Sequence, residues 1–155
     1  DRLRSRGLGD VYKRQGEYSH TLDVKGRLII PAKFRNQLGE KFIVTRWMEH
    51  ALRAMPMPVW EKLEQQLNQL PLGKKEARQF KRFVMAGAME AEIDKQGRII
   101  IPSNLKTYAG LAKNVIVTGS GDSFEIWSDE NWQSYTAETA ENFDDIAEGL
   151  VDFDF

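Results

Sequence analysis

Cysteine is absent from the chain. That removes disulfides, thiol nucleophiles and Cys-type zinc sites together, and it fits a reducing cytoplasm. Also missing is an apolar run of the roughly 18 residues that a bilayer span needs, so no membrane partner is expected. The first fifteen residues are basic but lack the apolar stretch of a secretory signal. Only two histidines occur, His20 and His50, and neither has an H-x-x-x-H partner; both read as structural or surface residues. Gly-x-Ser-x-Gly and P-loop patterns are absent. Gly119-Ser-Gly121 is a lone G-x-G and reads as a hairpin turn, not a phosphate cradle. No metal, cofactor or small-molecule substrate is expected from this inventory.

What is present is a globular balance: 155 residues, 41% apolar and 29% charged. The length suits one ordinary domain or two small halves sharing a core. The formal net charge of −1 hides an asymmetry. Residues 1–15 net +3, the body 16–136 nets +3, and residues 137–155 carry seven acidic side chains and no Lys or Arg. The body alone is mildly basic, which favours anionic partners over what the whole-chain charge suggests.

The strongest organising signal is an internal repeat. Asp23-Val-Lys-Gly-Arg-Leu-Ile-Ile-Pro31 recurs 71 residues later as Asp94-Lys-Gln-Gly-Arg-Ile-Ile-Ile-Pro102, with six of nine positions identical. Gly39 and Gly110 keep the same offset, while Phe42–Thr45 and Val115–Thr118, and Trp60 and Trp132, follow at 73 and 72. Each unit reads as strand, turn, strand, short helix and strand pair. Strands are expected at 18–22, 27–30, 42–46 and 51–55, and again at 88–93, 98–101, 115–119 and 123–127. Pro31 and Pro102 end a strand and can open a short helix. Gly39 and Gly110 fall where that helix would stop.

Trp60, Leu63, Leu67 and Leu70 recur at helical spacing before Pro71. A second helix is expected near 74–85, with Ala77, Phe80 and Val84 on one face and Lys74, Arg78, Lys81 and Arg82 on the other. That basic face reads as solvated surface ahead of a DNA stripe. Helix starts are also expected near Pro58 and Ser128. A unit of about 45 residues is too small to build a core alone, so two units pairing their apolar strands predict an α+β fold, a pseudo-twofold β-barrel with peripheral helices. The expected segments are a leader at 1–15, a first repeat at 16–72, a linking helix at 73–87, a second repeat at 88–136 and an acidic tail at 137–155.

D-x-x-x-R occurs twice, as Asp23/Arg27 and Asp94/Arg98. The Asp is first a turn former whose carboxylate accepts backbone N–H bonds, and it can also orient the Arg. Gly26 and Gly97 belong to the same turns, where glycine tolerates positive φ. Each Arg opens a strand beside its turn, so two matched cations project from one face. Arg suits bidentate reading of guanine and binds phosphate as well. Trp47, Trp60, Trp127, Trp132 and Tyr135 read as packing residues in preference to a base-stacking platform.

The run from Gly16 to Arg35, the stretch Leu70-Pro-Leu-Gly-Lys-Lys-Glu-Ala-Arg78 followed by Ala86-Gly-Ala88, and the motif Asp94–Pro102 together resemble the MraZ family of bacterial transcriptional regulators. The resemblance covers residues 16 to about 136. It implies the swapped-hairpin fold of the AbrB type, double-psi-like and duplicated, assembled into a homo-oligomeric ring. It implies a cytoplasmic, nucleoid-associated protein that binds double-stranded DNA at repeated boxes upstream of the division and cell-wall gene cluster. The family's paired motifs map onto Asp23/Arg27 and Asp94/Arg98. Lys25, Lys95 and Lys33 join Arg27 and Arg98 as candidate DNA contacts, with Asp23, Asp94, Gly26 and Gly97 organising the loops. Lys25 has Gln96 as its counterpart, and Lys95 lies one residue earlier, so the two loops are not equivalent. Residues 1–15 have no counterpart in the family and are expected to lie outside the fold.

Two alternatives remain from the residues. An AbrB-like antitoxin resembles a single repeat that dimerises, and the fused duplication speaks against it. An aspartyl-dyad enzyme would use Asp23 and Asp94 around one shared proton. A Lys and an Arg beside each carboxylate would keep both ionised, which defeats the dyad; the chain is expected not to be an enzyme.

Overall fold

A computed structural model of the chain describes residues 16–153; the leader expected at 1–15 lies outside them. Among the described residues, eight strands and five α-helices follow one another. The first half holds β1 (Glu17–Thr21), β2 (Arg27–Ile29), α1 (Ala32–Leu38), β3 (Lys41–Arg46), β4 (Leu52–Pro56) and α2 (Met57–Asn68). Helix α3 (Lys75–Gly87) connects the halves. The second half holds β5 (Met89–Glu92), β6 (Arg98–Ile100), α4 (Ser103–Ala109), β7 (Asn114–Gly119), β8 (Phe124–Ser128) and α5 (Asp129–Glu148). The fold is α+β, and the element order repeats as the sequence motif repeats.

The sheets are antiparallel and join the halves by exchange. The six-stranded sheet runs β1-β7-β8-β4-β3-β5, and β2 and β6 form a separate ribbon. Strand β1 pairs with β7 of the other half, and its counterpart β5 pairs with β3 of the first half. Equivalent strands meet at the centre. Leu28 faces Ile99 in the ribbon and Arg53 faces Glu125 between β4 and β8. A pseudo-twofold axis passes through both pairs.

Packing explains why the halves cannot separate. Leu28, Ile30 and Phe34 of one half and Ile99, Ile101 and Leu105 of the other fill a single cluster, all essentially inaccessible. Phe34 stacks on Phe124 with ring centroids 5.2 Å apart. Full burial of such side chains contributes about 2 kcal/mol each, and neither half keeps it alone. Strand β3 is buried on both faces, which is why it reads as a continuous apolar run. Phe42 and Val44 face the shared core, while Ile43 packs with Trp60, Leu67 and Val84 of α2 and α3. Thr45 adds a hydrogen bond from its hydroxyl to the Val84 carbonyl at 2.6 Å.

Some boundaries depart from the sequence reading. Helix α2 ends at Asn68, before Leu70, because the residue preceding a proline disfavours helical backbone and the chain turns through Gln69 and Leu70 instead. Leu70 still packs against the α2–α3 cluster. Helix α3 is amphipathic, with Val84 buried and Ala77 half-buried, yet Phe80 is exposed. Helix α5 starts where Ser128 caps it, the hydroxyl accepting from the Asn131 amide at 3.0 Å. It then runs through residue 137 to Glu148, so the start of the acidic segment is helical. Among the described residues no helix is long and apolar enough to cross a membrane.

Candidate nucleic-acid interface

Each D-x-x-x-R turn is organised by its own carboxylate. Asp23 Oδ1 accepts the amides of Lys25 and Arg27, both at 2.9 Å, and Oδ2 accepts Arg27 Nε at 2.6 Å. Asp94 repeats this with the amides of Gln96 and Arg98 at 2.9 and 2.8 Å and with Arg98 Nε at 3.0 Å. Each Asp thus bonds the turn amides through one oxygen and the Arg Nε through the other. The Arg27 and Arg98 amides, then their guanidinium groups, hold the Asp23 and Asp94 carboxyls below the usual carboxylate range. Each carboxylate is committed to its own arginine, the opposite of a dyad sharing a proton.

The turns are locked to one another through the ribbon. Ile30 N–H donates to the Gly97 carbonyl at 2.9 Å, and Ile101 N–H donates to the Gly26 carbonyl at 2.8 Å. Gly26 and Gly97 have φ of +79° and +80°, a region other residues enter only with strain. Side chains crossing from the opposite half cover both. A Cβ on Gly97 would clash with the Arg35 guanidinium, and one on Gly26 would lie 3.0 Å from the Ile101 carbonyl oxygen and 3.3 Å from Lys106 Nζ. Arg35 and Lys106 are 71 residues apart, so they are the same position of the repeat.

The ribbon has two faces. Leu28 and Ile99 point into the core. Arg27 opposite Ile100, and Ile29 opposite Arg98, share the outer face. Ile29 and Ile100 are 44% and 63% exposed there. The two Arg Cα positions are offset by roughly 7 Å along the strands, two residues of rise. The turns lie at opposite ends of the ribbon, because the strands are antiparallel. Lys25 and Lys95 are exposed on the turns. Arg98 Nη2 also reaches Gln96 Oε1 at 3.4 Å, a contact that Lys25 cannot offer Arg27. This is where the two loops differ.

Not every candidate converges on the turns. Lys33 stands over the Tyr18 ring of β1, 5.3 Å from its centroid, and Arg35 is the α1 cation that reaches a turn. Arg35 Nε also donates to the Ile30 carbonyl at 2.8 Å. Arg35, Lys106 and, beside the first turn, Lys113 were not singled out from sequence. The matched basic character of 35 and 106 at the repeat offset was the available signal. Burial, and then Arg35, lowers the pKa of half-buried His20, consistent with a structural role. His50 Nδ1 donates to the Tyr108 carbonyl at 2.9 Å. Trp127 packs with Trp132 and Tyr135, centroids 5.1 and 5.0 Å away. Gly119 is the last residue of β7 and Gly121 lies in the β7–β8 hairpin turn, where Ser120 N–H donates to the Ser123 carbonyl.

The family described as "MraZ protein, putative antitoxin-like" matches the chain twice, over residues 15–83 and 84–154. A protein of Leuconostoc mesenteroides named transcriptional regulator MraZ is 77% identical over 139 residues, spanning 90% of this chain and 97% of its own length. Proteins of the same name from Oenococcus oeni and Natranaerobius thermophilus are 68% and 50% identical, each spanning 90% of this chain and 97% of the relative. The two matched stretches divide the chain inside α3, between the two D-x-x-x-R turns.

Proposed function

This chain belongs to the MraZ family, and from that premise we propose that it is a sequence-specific DNA-binding transcriptional regulator whose reading surface is the outer face of the β2–β6 ribbon. One observation carries the reading: two arginines, each aimed by an aspartate of its own turn, share that face about a pseudo-twofold axis. A two-stranded ribbon fits the major groove, about 12 Å wide. Arg27 and Arg98 are then the base-reading residues, Ile29 and Ile100 supply apolar contact of the kind that suits thymine methyls, and Lys25, Lys95, Arg35 and Lys106 hold phosphates. Lys33 contributes from the side of α1. The reciprocal exchange of β1 and β5 between the halves supports the AbrB-type swapped-hairpin barrel as the parent architecture.

The same reading extends to assembly and target. Two base-reading arginines specify too short a site, and the body's net charge of +3 is too small, for tight binding by one subunit, so the protein works as a homo-oligomeric ring that engages repeated boxes upstream of the division and cell-wall gene cluster. Its place is the cytoplasm, on the nucleoid. Membership in a family of regulators and two ion-paired aspartates favour binding over catalysis. The test is titration of one box against two or more, at low and high salt, with light scattering on the same sample. Multiple boxes should bind far better than one. Each neutralised phosphate should steepen the fall of log K with log salt by about 0.9. Equal affinity for single and multiple boxes, or a flat salt slope, overturns the reading.

A further inference from the structure

We propose that the distal half of α5 docks into a cleft beside α3 on a neighbouring copy of this chain. The inference rests on the self-assembly part of the proposed function and leaves the DNA-reading part untouched. It starts from two exposed apolar surfaces that the ribbon does not use. The first lies on α5. Its proximal turns are anchored by Trp132 and Tyr135 against Trp127, but every described residue from 140 to 153 is exposed. Phe143, Ile146 and Leu150 follow at spacings of three and four, one stripe of a helix and its end, and Phe143 is 62% exposed. A helix with no proline or kink cannot fold this stripe back onto the body.

The second surface is an open cleft of about 770 Å³ between α3 and the β3–β4 turn. Met48, Phe80, Phe83 and Tyr108 wall it, and Arg46, Arg82 and Glu76 are its charged lining. Its far wall is held in shape: the Tyr108 hydroxyl donates to the Trp47 carbonyl, and His50 stacks on the Tyr108 ring at 4.7 Å. Phe83 is 44% exposed and lies beneath the Arg46 guanidinium at 3.9 Å. Apolar patches of this kind on a folded surface mark interfaces.

Charge decides which surface meets which. Residues 137–153 carry six acidic side chains and no basic one, whereas the charged side chains lining the cleft are Arg46 and Arg82 against Glu76 alone. Pairing α5 with α5 sets like charges together, whereas pairing α5 with the α3 cleft sets opposite charges around an apolar centre. The contact is therefore heterologous, tail of one copy to cleft of the next, and such contacts close into rings when the rotation allows.

The experiment is light scattering on the full chain without DNA. Phe143→Asp/Ile146→Asp removes the tail stripe and keeps the cleft; Phe83→Asp removes the cleft and keeps the tail. Each variant alone should lose mass relative to the wild type. An equimolar mixture should regain a two-chain species, because one intact tail meets one intact cleft. Full mass in Phe83→Asp, as for α5–α5 pairing, or no recovery in the mixture, overturns the proposal. If Phe83→Asp melts early, Lys81→Glu/Arg82→Glu on the basic side of α3 replaces it: lost mass supports the proposal and retained mass overturns it. A monomeric wild type overturns this proposal together with self-assembly, while DNA titration of that monomer still tests the ribbon separately.

Discussion

Leu28 faces Ile99 across the β2–β6 ribbon, and the two are the same residue of the repeat, 71 positions apart. The pseudo-twofold axis therefore runs through the side-chain pair that closes the core beneath the outer, arginine-bearing face of the ribbon. Leu28→Ala or Ile99→Ala should each cost about 2–5 kcal/mol, because both side chains are fully buried. The double variant should depart from additivity, since the positions share one contact region. Denaturant unfolding of the four proteins checks this; a loss under 1 kcal/mol in both singles would place the core elsewhere.

Gly26→Ala and Gly97→Ala should both destabilise, since each forces a side chain into positive φ at about 1–2 kcal/mol. The larger loss belongs to Gly26→Ala, whose new Cβ presses on the Ile101 backbone, while Gly97→Ala displaces only the end of Arg35. Gly97→Ala should accordingly weaken DNA binding, and Arg35→Ala should do the same. Melting curves and anisotropy titrations of the three variants measure both effects.

Stability should decline on the acid side through Asp23 and Asp94. Their folded pKa values lie below the ordinary value, because the Arg27 and Arg98 amides and then their guanidinium groups favour the carboxylates. That stabilisation is fully present above the unfolded Asp pKa, about 3.9, and is lost as pH falls through the lowered folded values. Asp23→Asn/Asp94→Asn should flatten this limb of the stability profile. The variant should also loosen both arginines, which lose their charged partner. An acid limb identical to that of the wild type would show that other carboxylates set it.

The repeat, the turn chemistry and the strand order along the chain were legible because they are local: D-x-x-G-R followed by β-branched residues and Pro states a turn and a strand within nine positions. The crossing of Arg35 onto Gly97 and Lys106 onto Gly26 was not legible, because it depends on how one half packs on the other. Lys33 was hidden within its own half, where its cation stands over Tyr18 of β1, a contact between a helix and a strand. The division at residue 136 followed the end of the repeat match, whereas α5 continues because Ala137–Glu148 keeps good helix formers after the match ends. Which surfaces stay exposed, Phe80 and Phe83 above all, is a property of tertiary packing that helical periodicity alone does not state.

Arg27→Ala and Arg98→Ala, titrated against the DNA upstream of the chain's own gene, test the central claim most directly. If each arginine reads a base, each variant should lose about 1–3 kcal/mol of specific binding and relax specificity at one position, with circular dichroism unchanged. The Arg27 variant should lose more, because Arg98 is partly taken up by Gln96. A uniform loss across sequences would assign the pair to phosphate contact. Unchanged affinity in both variants, with native circular dichroism, would contradict the account.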